Sequence, residues 1–339
     1  MNITKISTAS STAKTRKRAF HPRLFCIICL ALLALLTVLS LFTGRYPLSL
    51  EALLQGDELQ RRVFLNLRFS RTVVGLLGGF ALGVSGFVYQ TVFRNPLASP
   101  DIIGVSSGAS AGAAAGILFF SGSAAVTASA FAGALSAVVI VLLLSALDQT
   151  GKNCSIVLAG IAVHALAQTA LMCLKLTADP ERELASIEYW IMGSLNAVNL
   201  HSLGGNLLLC LLCLVLLFLL HRQIILLSGE EGEMKMLGVS VGKLRLLVLL
   251  TATLTVSSVV SLTGLISFVG LLAPHGARLL TRDNRQGTML LSGLLGGILL
   301  LGADILARSV STVELPVSIF TSVLGAPFLI ALIGRRRSL

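Results

Sequence analysis

Arg94-Asn95-Pro96-Leu97-Ala98-Ser99-Pro100-Asp101 is a polar octapeptide between two charge-free runs, and the stretch around it, Arg68 to Gly116, decides the fold. On one side glycine recurs every fourth residue, at Gly75, Gly79 and Gly83; on the other it recurs at Gly104, Gly108, Gly112 and Gly116. A spacing of four stays nearly in phase with a helix, so each series makes a stripe of bare backbone down one face. In lipid, close backbone approach of this kind is a main source of helix association, and both series are expected to pack against neighbouring helices. Two prolines and an asparagine make the connection between them a defined turn.

The rest of the chain has the same character. It has 339 residues, of which 55% are hydrophobic and only 12% charged, with a mean hydropathy of +0.90. Soluble domains carry roughly a quarter charged residues, so this is an all-α polytopic membrane protein built as one bundle. The net charge of +11 lies between the apolar runs rather than on one face. With one Trp and three Tyr to stack on bases, it reads as membrane topology and not as nucleic-acid binding. Cys26 and Cys29, and Cys210 and Cys213, form C-x-x-C pairs inside apolar runs with no histidine or charge beside them. They read as small apolar helix residues.

Taken in order, residues 1–23 form a basic tail with no acid, and 24–44 are uncharged and long enough to cross a bilayer, which takes about 20 residues. The run is long for the core of a cleaved signal, so a retained helix with a cytoplasmic N-terminus is expected. Residues 45–71 read as an external loop, and the second helix returns to the cytoplasm near Val92. The uncharged stretch from Ile102 to Leu147 is too long for one span and turns at Ser121-Gly122-Ser123. A fifth span runs to about Leu176, the acidic segment from Ala178 to Leu200 is external, and a sixth span ends near His221. The seventh covers about Leu244 to Leu262. Gly264, Gly270, Pro274 and Gly276 then interrupt an apolar run, which implies a short broken helix near 264–280. Such backbone is tolerated at membrane depth only where protein or a water-lined cavity covers it. Spans at about 288–307 and 317–333 follow, and Arg335-Arg336-Arg337 opens a cytoplasmic tail at 335–339. The expectation is about ten helices in a single membrane-embedded domain, 24–334, with both termini cytoplasmic.

Several blocks resemble one family. Arg94-Asn95-Pro96-Leu97-Ala98 followed by Gly104-Val105-Ser106-Ser107-Gly108-Ala109 is similar to the signature of bacterial ABC importer permeases for iron–siderophore chelates, haem and vitamin B12, the FecCD type. The resemblance recurs in Gly264 to His275, in Ala303-Asp304-Ile305-Leu306-Ala307-Arg308, in Glu314-Leu315-Pro316-Val317 and in Gly325-Ala326-Pro327-Phe328. It implies a multi-pass subunit of the bacterial inner membrane that moves an iron chelate or related metal chelate. The partners it implies are an ATPase dimer, a periplasmic substrate-binding protein and a second permease subunit, either the same chain or a sister chain. Lipid surrounds the assembly.

Residue roles follow from the same resemblance. Arg68, Arg71 and Arg308 would pair with carboxylates of the binding protein, a bidentate and directional contact. The family usually has Arg-Leu-Pro-Arg where this chain has Arg68-Phe69-Ser70-Arg71, which removes a fixed entry angle. The internal segment 229–242 would couple to the ATPase through Glu230, Glu231, Met234, Met236, Leu237 and Gly238, whose apolar members fit a groove on a partner. Asn153, Cys154 and Ser155, at the turn into the fifth span, resemble a cytoplasmic gate and equally suit a helix N-cap.

No catalytic constellation is present. The chain lacks a G-x-x-x-x-G-K-[ST] phosphate loop, so it is read as a transport subunit with no cofactor of its own and with ATP on its partners. The histidines lack metal-ligand spacing, and His275 reads as a cap on the broken helix. A secondary transporter would usually show buried ionisable residues for ion coupling, and only Asp304 lies inside a late span. A membrane-embedded enzyme would need a His/Asp/Glu cluster there.

Overall fold

The computed structural model describes residues 22–44, 46, 57–147, 153–196, 198, 200–229, 234, 236, 240–281, 285–311 and 313–336. Among them every regular element is helical. The helices are α1 (Pro22–Phe42), α2 (Glu58–Val63), α3 (Ser70–Val92), α4 (Val105–Phe119), α5 (Ser123–Leu147), α6 (Asn153–Thr177) and α7 (Glu183–Met192). They continue with α8 (Leu200–Leu219), α9 (His221–Leu226), α10 (Val241–Thr263), α11 (Val269–Thr281), α12 (Gln286–Ser309) and α13 (Val317–Arg336). By length and composition six helical segments can cross a membrane, and Val105–Phe119, Leu203–Leu219 and Val317–Ile330 are shorter apolar helices.

Two expectations change. Residues 45–71 are not all loop: the second helix begins at Glu58, where the Asp57 side chain caps the free N–H groups of Leu59 and Gln60 at 2.9 and 3.4 Å. It then passes through a π-helical turn, Phe64–Phe69, directly into α3. Serine in place of proline permits this, because Ser70 keeps its backbone N–H and its hydroxyl donates to the Leu65 carbonyl at 3.0 Å. The acidic segment 178–200 likewise contains a helix, α7, ahead of Gly193 at φ +70°.

Burial sorts the helices into two groups. In α3 with α2, and in α10, 78% and 72% of the most apolar window is inside the protein, against 17% in α1 and 28% in α5 and α6. The first group forms the centre of the bundle, and the second turns apolar side chains outward, as helices facing lipid or another subunit do.

The centre is assembled through backbone contact. A Cβ at Gly79 would lie 2.5 Å from the Gly296 carbonyl oxygen, and one at Gly83 would collide with the carbonyl of Ser292, so α3 and α12 meet without intervening side chains. Gly108 and Gly112 of α4 lie in the same way against Gly133 and Ser129 of α5, and Gly116 against Val126. Gly75 faces the Leu301 side chain. Gly104 differs from its series: at φ +78° it ends the 3-10 turn Pro100–Ile103 and starts α4, with nothing closer than 3.5 Å to an added Cβ. Its role is conformational.

The chain is broken between α10 and α11. Gly264 lies at φ +71° and Phe268 at φ +66°, a conformation that costs a non-glycine residue about 1–3 kcal/mol. Gly325 leaves room for the Phe268 ring, which would stand 2.5 Å from a Cβ there. Inside α11, Pro274 cannot donate to the carbonyl of Gly270. That carbonyl faces Gly86 of α3, where any side chain would strike it. Three segments join at the break: Ser194 donates its N–H to Thr263 at 2.7 Å, Val317 donates to Gly193 at 3.0 Å, and the Ser318 hydroxyl donates to Leu265 at 2.6 Å.

Replacing Gly83 by Ala should destabilise the protein by about 1–3 kcal/mol, because the new methyl must displace backbone. Gly302→Ala, on the partner helix α12 but with open space at its Cβ, should be neutral or stabilising by about 0.5–1 kcal/mol. Thermal unfolding of the purified variants in detergent measures both, and equal melting temperatures would refute the packing account.

Candidate functional site

Charge is concentrated at one end of α3. The Arg71 Nε donates to Asp304 Oδ1 at 2.7 Å and its Nη1 to Glu314 Oε2 at 3.1 Å. Arg308, one helical turn after Asp304, pairs with the other carboxylate oxygen at 2.7 Å. Its remaining donors reach the end of α1: the carbonyls of Ser40 and Thr43 at 3.2 and 2.9 Å, and the Ser40 hydroxyl at 2.8 Å. Ser40 also bonds Thr72 at 2.8 Å. Arg68 donates to the Tyr46 carbonyl at 3.0 Å. A cavity of about 170 Å³ opens among Tyr46, Arg68, Arg71, Asn196, Arg308 and Glu314.

All three arginines expected to meet a carrier are thus buried, at 5–6% exposed, and Asp304 is fully enclosed. Three guanidiniums face two carboxylates. A buried pair of this kind is worth little beyond what apolar packing would supply. Removing one partner, however, strands a charge and costs about 3–5 kcal/mol. Two donors of the cluster have no hydrogen-bond acceptor among the described residues, Arg68 Nη1 and Arg71 Nη2. Asp304 and Glu314 are the members that residue-by-residue reading did not assign to this site. Their signal was present, in a lone acid within a late apolar span and in a Glu-Leu-Pro block shortly after it.

The opposite end of α3 carries the octapeptide. Arg71 and Arg94 are 23 positions apart, about 35 Å along a helix, which exceeds the hydrocarbon thickness of about 30 Å. The helix is therefore long enough for its two ends to reach opposite faces of a bilayer. Arg94, at φ +51°, sends its side chain to the carbonyls of Leu227, at 3.4 Å, and Gly229. Asn95 closes the turn by accepting the Leu97 N–H at 3.0 Å. Arg278 of α11 bonds Gln90 and Thr91 and stands 5.0 Å over the Phe87 ring, fastening α11 to α3. The loop is thereby tied to the start of the segment 229–242. Within that segment Met234 is packed in this chain's own core while Met236 is 83% exposed, so the two methionines do not share one face. Glu230, Glu231, Leu237 and Gly238 lie outside the described residues. Asn153, Cys154 and Ser155 open α6, and their side chains are outside the described set. The His275 ring stands edge-on to Phe328 at 5.5 Å.

The structure thus has a buried charge cluster at one end of α3, a braced polar loop at the other and a broken helix packed against it. A model of the FecCD transport family matches residues 32–335. The chain belongs to the FecCD transport family. Its relatives include the molybdate import system permease protein MolB of Haemophilus influenzae, 34% identical, with 86% of this chain and 89% of that one covered. A probable iron chelatin transport system permease protein of Helicobacter pylori is also 34% identical, over 94% and 99% of the two chains. Among solved structures, an inward-facing metal-chelate type ABC transporter superposes with a TM-score of 0.84 at 34% identity, over 93% of this chain and all of that one. This FecCD chain is accordingly a multi-pass membrane permease and a transport component rather than an enzyme.

Asp304→Ala should lower stability by about 3–5 kcal/mol by stranding Arg71 and Arg308. Glu58→Ala, which removes only the exposed pair with Arg62, should change it by less than about 1 kcal/mol. Melting temperatures in detergent decide between a supporting and an incidental cluster.

Proposed function

We propose that this chain is the membrane-spanning subunit of an ATP-driven importer that carries a metal chelate, with iron in an organic chelator as the leading case, across the bacterial inner membrane. The single observation carrying this reading is the match, over nearly the whole chain, to a transporter of the metal-chelate type. In this reading the chain crosses the membrane ten times, counting α11, with both termini in the cytoplasm and the basic ends held there by the positive-inside bias. Two permease subunits, identical or sister, enclose the pathway. A separate ATPase dimer docks against the 229–242 segment and the 94–101 loop, and a periplasmic binding protein delivers the chelate to the face that bears Arg68, Arg71 and Arg308. Small polar residues at the start of α6, Asn153 to Ser155, form part of the inner gate. ATP turnover on the partners switches the pathway between outward-open and inward-open states.

Proteoliposomes containing the permease with its ATPase and loaded carrier should take up ferric chelate only when ATP is present, and omission of either partner should abolish uptake. Uptake that persists without the ATPase would overturn the reading. Met236→Asp should reduce recovery of the ATPase in pull-downs at least tenfold while leaving carrier binding intact, because an unpaired charge in a protein groove costs several kcal/mol.

A further inference from the structure

The two carboxylates that hold the arginine cluster are not equivalent. Asp304 is fully enclosed and gripped by Arg71 and Arg308, each at 2.7 Å. The Glu314 side chain is 22% exposed, has one ion pair among the described residues, at 3.1 Å, and sits in the connection between α12 and α13 rather than on a helix. Arg68 and Arg71 line the cavity it borders, and each carries one donor with no acceptor among the described residues, Arg68 Nη1 and Arg71 Nη2, on side chains more than nine-tenths buried. Each guanidinium presents five N–H donors, and a carboxylate offers about four lone-pair sites. Donors left over on two adjacent arginines therefore define a subsite for one more carboxylate.

Resting on the reading that a carrier docks on this face, we propose that Glu314 is an internal carboxylate which the carrier's own acidic side chain displaces from Arg71. An Asp or Glu entering the cavity meets the Arg68 and Arg71 side chains that line it, and its charge is placed beside that of Glu314. Like charges sharing one site cannot both remain without cost. Asp304 is locked by two partners, so the group that leaves is Glu314, which already reaches solvent.

The departure has a structural address. Pro316 and Val317 follow directly, and Val317 and Ser318 carry the hydrogen bonds to Gly193 and Leu265 that join α7 and the α10–α11 break to α13. Leu315 is also tied back to α12 through its N–H to Ala307 at 3.4 Å. Releasing Glu314 loosens the segment that holds this junction, so carrier arrival is converted into freedom of the broken helix. Glu314 is thus a positioning residue: it touches neither chelate nor nucleotide and acts through Arg71 and Val317.

The test uses the complete complex in nanodiscs, with carrier affinity and ATP hydrolysis measured with and without carrier. Glu314→Gln should bind the carrier about tenfold more tightly, equivalent to one charge-assisted contact. It should also hydrolyse ATP faster than wild type without carrier and show a smaller stimulation when carrier is added. A merely structural role would weaken binding, and simple surface electrostatics would tighten it without raising carrier-free hydrolysis. Carrier affinity at or below the wild-type level, or unchanged carrier-free hydrolysis, overturns the proposal. Should Glu314→Gln fail to fold, Glu314→Asp, which keeps the charge but shortens its reach, should move both readouts the same way by a smaller factor. Arg68→Glu in parallel separates the two levels. Unchanged carrier affinity there removes the docking reading and the exchange with it. Weakened affinity there, with no effect of Glu314→Gln, removes the exchange alone.

Discussion

The architecture depends on direct contact between helix backbones. Lipid tails are as apolar as leucine, so helices gain little by hiding side chains from them and must gain by fitting closely. The α3 helix does this on two sides, presenting Gly79 and Gly83 to Gly296 and Ser292 of α12 and Gly86 to the Gly270 carbonyl of α11. Contact at that range fixes translation and rotation together, because carbonyls of one helix settle where the other has no side chain. Helix α3 acts as the reference for the bundle, and the charge cluster, the break and the octapeptide loop all hold their positions relative to it.

Much of this was readable in residue order. Apolar runs anticipated long apolar helices such as α1, α10 and α12, since a membrane imposes one strong rule on segment length and polarity. The series Gly79 and Gly83, and Gly108 and Gly112, announced close approach through their spacing alone. Their partners did not announce themselves, because which helix receives a stripe is a tertiary matter. Gly293, Gly296 and Gly297 on α12 and Gly133 on α5 became meaningful only once the helices were paired. Gly104 shared the period of its series but serves a turn, an instance of periodicity continuing into a residue that needs a positive φ. Where helices begin was less readable than where apolar runs begin: α2 starts well outside the uncharged stretch because Asp57 caps it and no proline intervenes.

At the site, charge was visible and pairing was not. Arg68, Arg71 and Arg308 could be picked out by position and by family resemblance, and the natural expectation was of side chains reaching outward. The Asp304–Arg308 pair is one helical turn apart, but folding also brings Asp304 within 2.7 Å and Glu314 within 3.1 Å of Arg71, across sequence separations that no local pattern encodes. The same holds for Met234 and Met236, neighbours but for one residue, of which one joins the core and the other faces out.

The uninterrupted run from Glu58 to Val92 carries a mechanical consequence. A hydrogen-bonded rod does not absorb a displacement along its length; it passes it on as a tilt or a shift of the whole. For a rod of about 35 Å between Arg71 and Arg94, a tilt of about 5° at one face moves the other by roughly 3 Å, comparable to the small helix shifts by which packed proteins switch state. The glycine contacts that fasten this rod to α12 mean that the two helices would move as one lever. The π-helical turn at Phe64–Phe69, one residue short of the tightly packed portion, is where such a lever would have its compliant end.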